Sequence, residues 1–152
     1  MIIQRIVETV REGQKSAEHL VLLVGRPGSG KSKLLRELST IRGWQYVNCR
    51  DFLTEELLEM VPKVRAMEAP GLIMKTLDAL KADVIVLDDM QALFAPVLQV
   101  DPLQLLKQLG RKFSLVAAWP GEFDGDRLKI ASVGQAEQRV YDAKGLTIIQ
   151  IE

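Results

Sequence analysis

The sequence holds a single cysteine, a single histidine and a single asparagine, with no surplus of either charge and no long apolar run. Cys49 is alone, so no internal disulfide can form, and a leftover thiol suits a reducing, cytoplasmic setting. His19 has no cysteine or histidine partner at metal-ligand spacing, so it reads as a strand-edge residue rather than a ligand. Lys plus Arg equals Asp plus Glu at 20 each, which removes any global electrostatic case for nucleic acid or an anionic membrane surface and leaves only a local basic face open. No apolar stretch approaches the roughly 20 residues a membrane span needs. The N-terminal "MIIQRIVETVREGQ" interrupts its apolar pattern with charges, unlike a secretory leader. Aromatic residues make up only 5%, so aliphatic side chains must fill the core.

What is present suits one domain over residues 1–152, with 47% hydrophobic and 26% charged residues; a chain of this size buries roughly 70% of the surface it exposes when unfolded. Ile2, Ile3, Ile6, Val7 and Val10 recur at three- and four-residue intervals, which predicts an amphipathic helix over 1–13. Its apolar face packs on the domain's own core or, alternatively, docks on a partner chain. "HLVLLVG" (19–25) is a continuous apolar run closed by glycine, as in a strand buried on both faces. Leu34, Leu35, Leu38 and Ile41 then place one stripe on a helix that Gly43 ends. "WQYVNC" (44–49), "DVIVLDD" (83–89), "FSLVAA" (113–118) and "LTIIQI" (146–151) are further strand candidates. Helices are expected over 52–61, stopped by Pro62, and over 70–81, opened by Pro70. In "DPLQLLKQLG", Asp101 is a natural N-cap, Pro102 a natural first residue and Gly110 a natural stop. A turn-rich loop after Trp119 is expected to end in a short helix around 135–142. Strands alternating with helices imply an α/β fold with a parallel sheet, right-handed crossovers and helices on both faces.

"GRPGSGKS" (25–32) matches G-x-x-x-x-G-K-[ST] in full and stands between a buried strand and an amphipathic helix. Glycines let the backbone turn several N–H groups inward at phosphates, and the following helix adds its positive end. Gly25, Arg26, Pro27, Gly28, Ser29, Gly30, Lys31, Ser32 and Lys33 are therefore the candidate nucleotide-binding residues. Lys31 is expected to reach the β- and γ-phosphates of ATP or ADP, and the Ser32 hydroxyl to ligate Mg²⁺. The second metal anchor is Asp88, which directly ends the apolar run "VIVL". Asp89 beside it is the candidate to orient or deprotonate the attacking water, with Gln91 next in line. An N-K-x-D guanine-reading motif is absent around the lone Asn48.

"GRPGSGKS" with "VIVLDD" resembles the AAA+ and STAND-type ATPases, and an extra strand between Lys31 and Asp88 matches their additional-strand class. That resemblance implies a three-layer P-loop NTPase fold whose five parallel strands lie in the order 5-1-4-3-2. It also implies an ATPase that oligomerises and completes its site with an arginine from a neighbouring subunit, carried just before the fifth strand. Here that segment is "AEQRVYDAKG", so Arg139 is the first candidate, Arg127 the second and Arg111 the third; a solvent-facing helix arginine is the alternative reading. Asp89 stands where these proteins usually carry a longer Glu, which implies slow hydrolysis, and "AAWPG" stands where they place a polar sensor. No C-terminal lid domain is expected after the fifth strand. A narrower resemblance, carried by "LDDMQALFAPVLQVDPLQLLKQLGRKFSLVAAWPG" and "LKIASVGQAEQRVY", is to the BrxF family of small P-loop proteins from type III BREX phage-defence systems. It implies a cytoplasmic ATPase among other protein subunits, with DNA met indirectly and no membrane.

Two other functions stay open: a nucleotide-dependent switch that hydrolyses slowly, and a small-molecule kinase with Arg111, Arg127 and Lys129 lining a lid. "GEFDGD" clusters carboxylates but lacks the remainder of a calcium loop, so it reads as a solvated acidic loop. Trp119 is expected to pack beside a turn, with adenine stacking as the alternative.

Overall fold

A computed structural model of the chain describes residues 2–13, 19–25, 30–90, 92, 101–119, 121–125, 127–131, 138–142 and 146–151. Five strands form one sheet: β1 (Leu20–Gly25), β2 (Trp44–Asn48), β3 (Val84–Asp88), β4 (Leu115–Trp119) and β8 (Thr147–Ile151). Their order is β2-β3-β4-β1-β8, and every pairing is parallel. Counted along the chain, this is the 5-1-4-3-2 order expected from the sequence. The three central strands are almost wholly buried, which is why they read as unbroken apolar runs, whereas the edge strands β2 and β8 are half-exposed.

Strand alternation divides the core into two layers. Leu20, Leu22, Val24, Ile85, Leu87, Leu115, Ala117 and Trp119 meet helices α4 (Pro62–Leu80) and α5 (Pro102–Lys112). On the opposite face Val21, Leu23, Val84, Val86, Val116 and Ala118 meet α1 (Ile2–Gly13) and α2 (Lys31–Leu38). Ile6 and Val10 of α1 are buried in that second layer, so the helix's apolar face is used within the chain.

The segment after β2 departs from the sequence reading. In place of one helix over 52–61 there is a 3-10 turn, Cys49–Phe52, followed by the short α3 (Glu55–Leu58), which Thr54 caps through Leu57 N–H at 3.2 Å. Pro62 opens the next helix rather than stopping the previous one, and Pro70 lies inside it rather than at its start. A proline in mid-helix removes one hydrogen bond. Arg65, Ala69, Ile73 and Leu77 nevertheless form one buried stripe across Pro70, and burial of that stripe holds both halves as a single helix. The Arg65 guanidinium also donates to the carbonyls of Leu57, Leu58 and Met60 at 3.1, 2.9 and 2.8 Å, closing the C-terminal end of α3.

Asp101 caps α5 as expected, accepting from Leu103 and Gln104 N–H at 3.0 and 3.2 Å. Gly110 does not end that helix, which continues to Lys112; a Cβ on Gly110 would lie 3.1 Å from Leu20 Cβ, so the glycine permits close approach of helix to strand. The helix expected over 135–142 is contradicted at 138–142. Those residues form β7 (Gln138–Asp142), paired antiparallel with β6 (Arg127–Ala131), which pairs with β5 (Glu122–Phe123). Helical periodicity and strand alternation are hard to separate over five residues, and cross-strand pairing decides the outcome here. Among the described residues no helix is long and apolar enough to cross a membrane.

Candidate nucleotide and metal site

The C-terminal ends of β1, β3 and β4 and the first turn of α2 converge, as expected at the ligand-binding edge of an open parallel sheet. Gly30 takes φ +89° at the N-cap of α2, a conformation in which a side chain would be strained. The chain then enters the helix with Lys31 and Ser32 in its first turn. Residues Arg26, Pro27, Gly28 and Ser29 lie outside the described residues.

Lys31 Nζ donates to Gly25 O at 2.6 Å and to Trp119 O at 3.0 Å. The ammonium is thereby held between the loop entrance and the end of β4. Burial pulls its pKa below the usual lysine value, and the charge of Asp88 works in the opposite direction. An anion placed beside it would favour the charged form further.

Asp88 is buried at the end of β3. Its Oδ1 accepts from the Ser32 hydroxyl at 3.1 Å and from Asp89 N–H at 2.9 Å, and its Oδ2 accepts from the Tyr46 hydroxyl at 2.6 Å. Ser32 and Asp88, 56 positions apart, thus present a hydroxyl and a carboxylate oxygen side by side. Hard oxygen donors at one spot are what Mg²⁺ selects, so these residues fit that ion; bound there, it would neutralise phosphate charge.

Asp89 is turned elsewhere. Its backbone takes φ +52°, uncommon for a non-glycine residue, and its carboxylate accepts from Asn48 Nδ2 while pairing with Arg50 at 3.2 Å. The groups that hold it therefore come from the end of β2 and the turn after it. Cys49, between those two partners, is buried, and its thiol is pushed up by burial and by the carboxylates of Asp88, Asp89 and Asp51.

The expected sensor position ends β4 in Trp119, which is fully buried. Its indole N–H donates to Lys129 O at 3.3 Å and its ring meets Tyr141 edge-on at 5.5 Å, so it fastens the small sheet to the large one. Of the candidate arginines, Arg127 lies on β6, Arg111 near the end of α5, and Arg139 on β7 opposite Ile130. Lys33 is exposed on α2, and Gln91 lies outside the described residues. In "GEFDGD", Asp124 accepts from Arg127 N–H at 2.9 Å and pairs with Lys129 at 3.2 Å. Among the described residues no cluster of three or more potential metal-binding side chains is found.

Residues 20–108 match the model of the AAA domain, dynein-related subfamily. The chain belongs to the AAA domain family. The match takes in the "GRPGSGKS" segment, Asp88 and most of α5, and ends before β4 and the small antiparallel sheet. This AAA domain is of the P-loop ATPase class, in accord with the parallel sheet and its strand order. No curated protein matches the chain. Sequence reasoning missed Tyr46, Asn48 and Arg50 as neighbours of the two aspartates. Alternation along β2 puts Tyr46 and Asn48 on one face, but only pairing with β3 shows which carboxylates they meet.

Proposed function

We propose that residues 1–152 act as one Mg²⁺-dependent unit that binds and hydrolyses ATP. The observation that carries this reading is the Ser32–Asp88 pair at 3.1 Å beside a half-buried lysine at the helix entrance. On this reading Lys31 holds the β- and γ-phosphates, Gly25 and residues 26–33 wrap them, and Ser32 and Asp88 hold the metal. Titration calorimetry with ATP in Mg²⁺ and in EDTA tests it. Lys31→Ala should weaken binding about 100-fold or more, because an anion would then meet a site without its cation. Unchanged affinity would refute the assignment.

Slow hydrolysis, as in a nucleotide-dependent switch, is the second reading, and the placement of Asp89 favours it. A carboxylate held by Asn48 and Arg50 must leave them before it can act as a base toward water. Arg50→Ala should therefore raise steady-state turnover, and Asp89→Asn should lower it by about 10²-fold with affinity unchanged. Turnover indifferent to both changes would exclude Asp89 from the chemistry.

The AAA family supports, as a proposal, a homo-oligomer working with other protein subunits, with an arginine of one copy, Arg139 first, completing the site of the next. A cytoplasmic place in phage defence, with DNA met through partners, rests on the BrxF resemblance of the sequence alone.

A further inference from the structure

Tyr46 lies on an edge strand, yet its hydroxyl makes the shortest of the three hydrogen bonds to Asp88, 2.6 Å to Oδ2. The strand register explains the reach. Tyr46 pairs with Val86 and Asn48 pairs with Asp88, so Tyr46 and Asp88 are diagonal neighbours on the face that meets α2, a separation a phenol can span. From the other side the Arg36 guanidinium lies over the Tyr46 ring, 5.8 Å from its centroid. Arg36 is one helical turn beyond Ser32, so α2 supplies both the hydroxyl facing Oδ1 and the cation that steadies the ring facing Oδ2. Each carboxylate oxygen therefore has its own fixed donors, Ser32 and Asp89 N–H for Oδ1 and Tyr46 for Oδ2.

We infer that Tyr46 is a positioning residue for the metal site: its hydroxyl holds Oδ2 and so fixes the orientation in which the Asp88 carboxylate turns Oδ1 toward Ser32 and the Mg²⁺ position. This rests on the reading of Ser32 and Asp88 as metal-holding residues. Outer groups that hydrogen-bond a ligating carboxylate fix its orientation, and their loss typically costs 10- to 100-fold in metal affinity.

The test is ADP binding to the full chain by calorimetry over a Mg²⁺ series and in EDTA, for wild type, Tyr46→Phe, Ser32→Ala and Asp88→Asn, with direct Mn²⁺ binding followed by electron paramagnetic resonance. Tyr46→Phe keeps the ring and its packing. It should raise the Mg²⁺ concentration needed for half-maximal tight ADP binding about tenfold and weaken Mn²⁺ binding similarly, while affinity in EDTA stays unchanged. An unchanged metal midpoint in Tyr46→Phe, with metal dependence lost in Ser32→Ala and Asp88→Asn, would overturn the role of Tyr46 alone. Unchanged metal dependence in all three variants would overturn both the inference and the reading it rests on. Equal weakening of Tyr46→Phe with and without metal would assign the hydroxyl a merely structural role and overturn the inference too.

Discussion

Single side chains in this site are defined by the partner each atom takes. Asp88 is buried and accepts three hydrogen bonds, Asp89 is drawn to the β2 side, and Lys31 bridges two carbonyls, so three adjacent charged groups have distinct surroundings. The Tyr46 bond also carries a pH signature. Its folded pKa is raised above the ordinary value of 10.0, first by burial and then by Asp88. A raised folded pKa means stability that is fully present below pH 10.0 and lost as pH climbs through the folded value, because only the unfolded chain releases that proton early. Tyr46→Phe should therefore flatten the alkaline fall in stability above about pH 10 relative to wild type. Urea midpoints measured from pH 8 to 11 would check it, and parallel pH profiles would contradict it.

At the scale of elements, two joints depend on one residue each. Arg65 closes the end of α3 from inside α4 by three bonds, to the carbonyls of Leu57, Leu58 and Met60, and removing it leaves the buried Leu57 carbonyl without its charged donor. Arg65→Ala should cost about 3 kcal/mol, read as a lower urea midpoint at unchanged slope. The second joint is where β4 turns into β5. A Cβ on Gly121 would lie 1.8 Å from Lys129 O and 3.0 Å from Trp119 Nε1, and the first of these is backbone that cannot move without unpairing β5 from β6. Gly121→Ala should cost about 2 kcal/mol and change the fluorescence of Trp119, which donates to that same carbonyl. A variant with native stability and emission would show the two sheets to be more loosely joined than the indole contact implies.

For the molecule as a whole, the edge of the sheet where Lys31, Ser32 and Asp88 meet draws on β1, β3, β4 and α2, whereas the candidate arginines lie on α5, β6 and β7. An arginine delivered between copies makes activity depend on assembly, and such a residue is typically worth about 10³ to 10⁵ in rate. On the proposed reading, specific ATPase activity rises with protein concentration and Arg139→Ala binds ATP but turns over slowly at every concentration. Mixing Arg139→Ala with Lys31→Ala chains should restore turnover, since one offers an intact pocket and the other an intact arginine. A flat concentration profile with a dead mixture would place catalysis, fast or slow, within one chain.

The glycine that opens α2, the buried strands and the place of Asp88 were legible in the linear sequence because each is a local pattern: glycine spacing, an unbroken apolar run, an acid at the end of that run. The Asp101–Pro102 start of α5 was legible for the same reason, since capping acts over three residues. Local pattern failed where distant burial outweighed it. Pro70 lies within a helix because a buried stripe spans it, Gly110 continues one because the helix presses on Leu20, and 138–142 is a strand because β6 pairs with it. Which donor each aspartate would meet was likewise undetermined by the chain order of Tyr46, Asn48 and Arg50. Only the register of β2 on β3 and the seating of α2 against both decide it, because a hydrogen bond needs its partners within about 3 Å and that distance is set by tertiary packing.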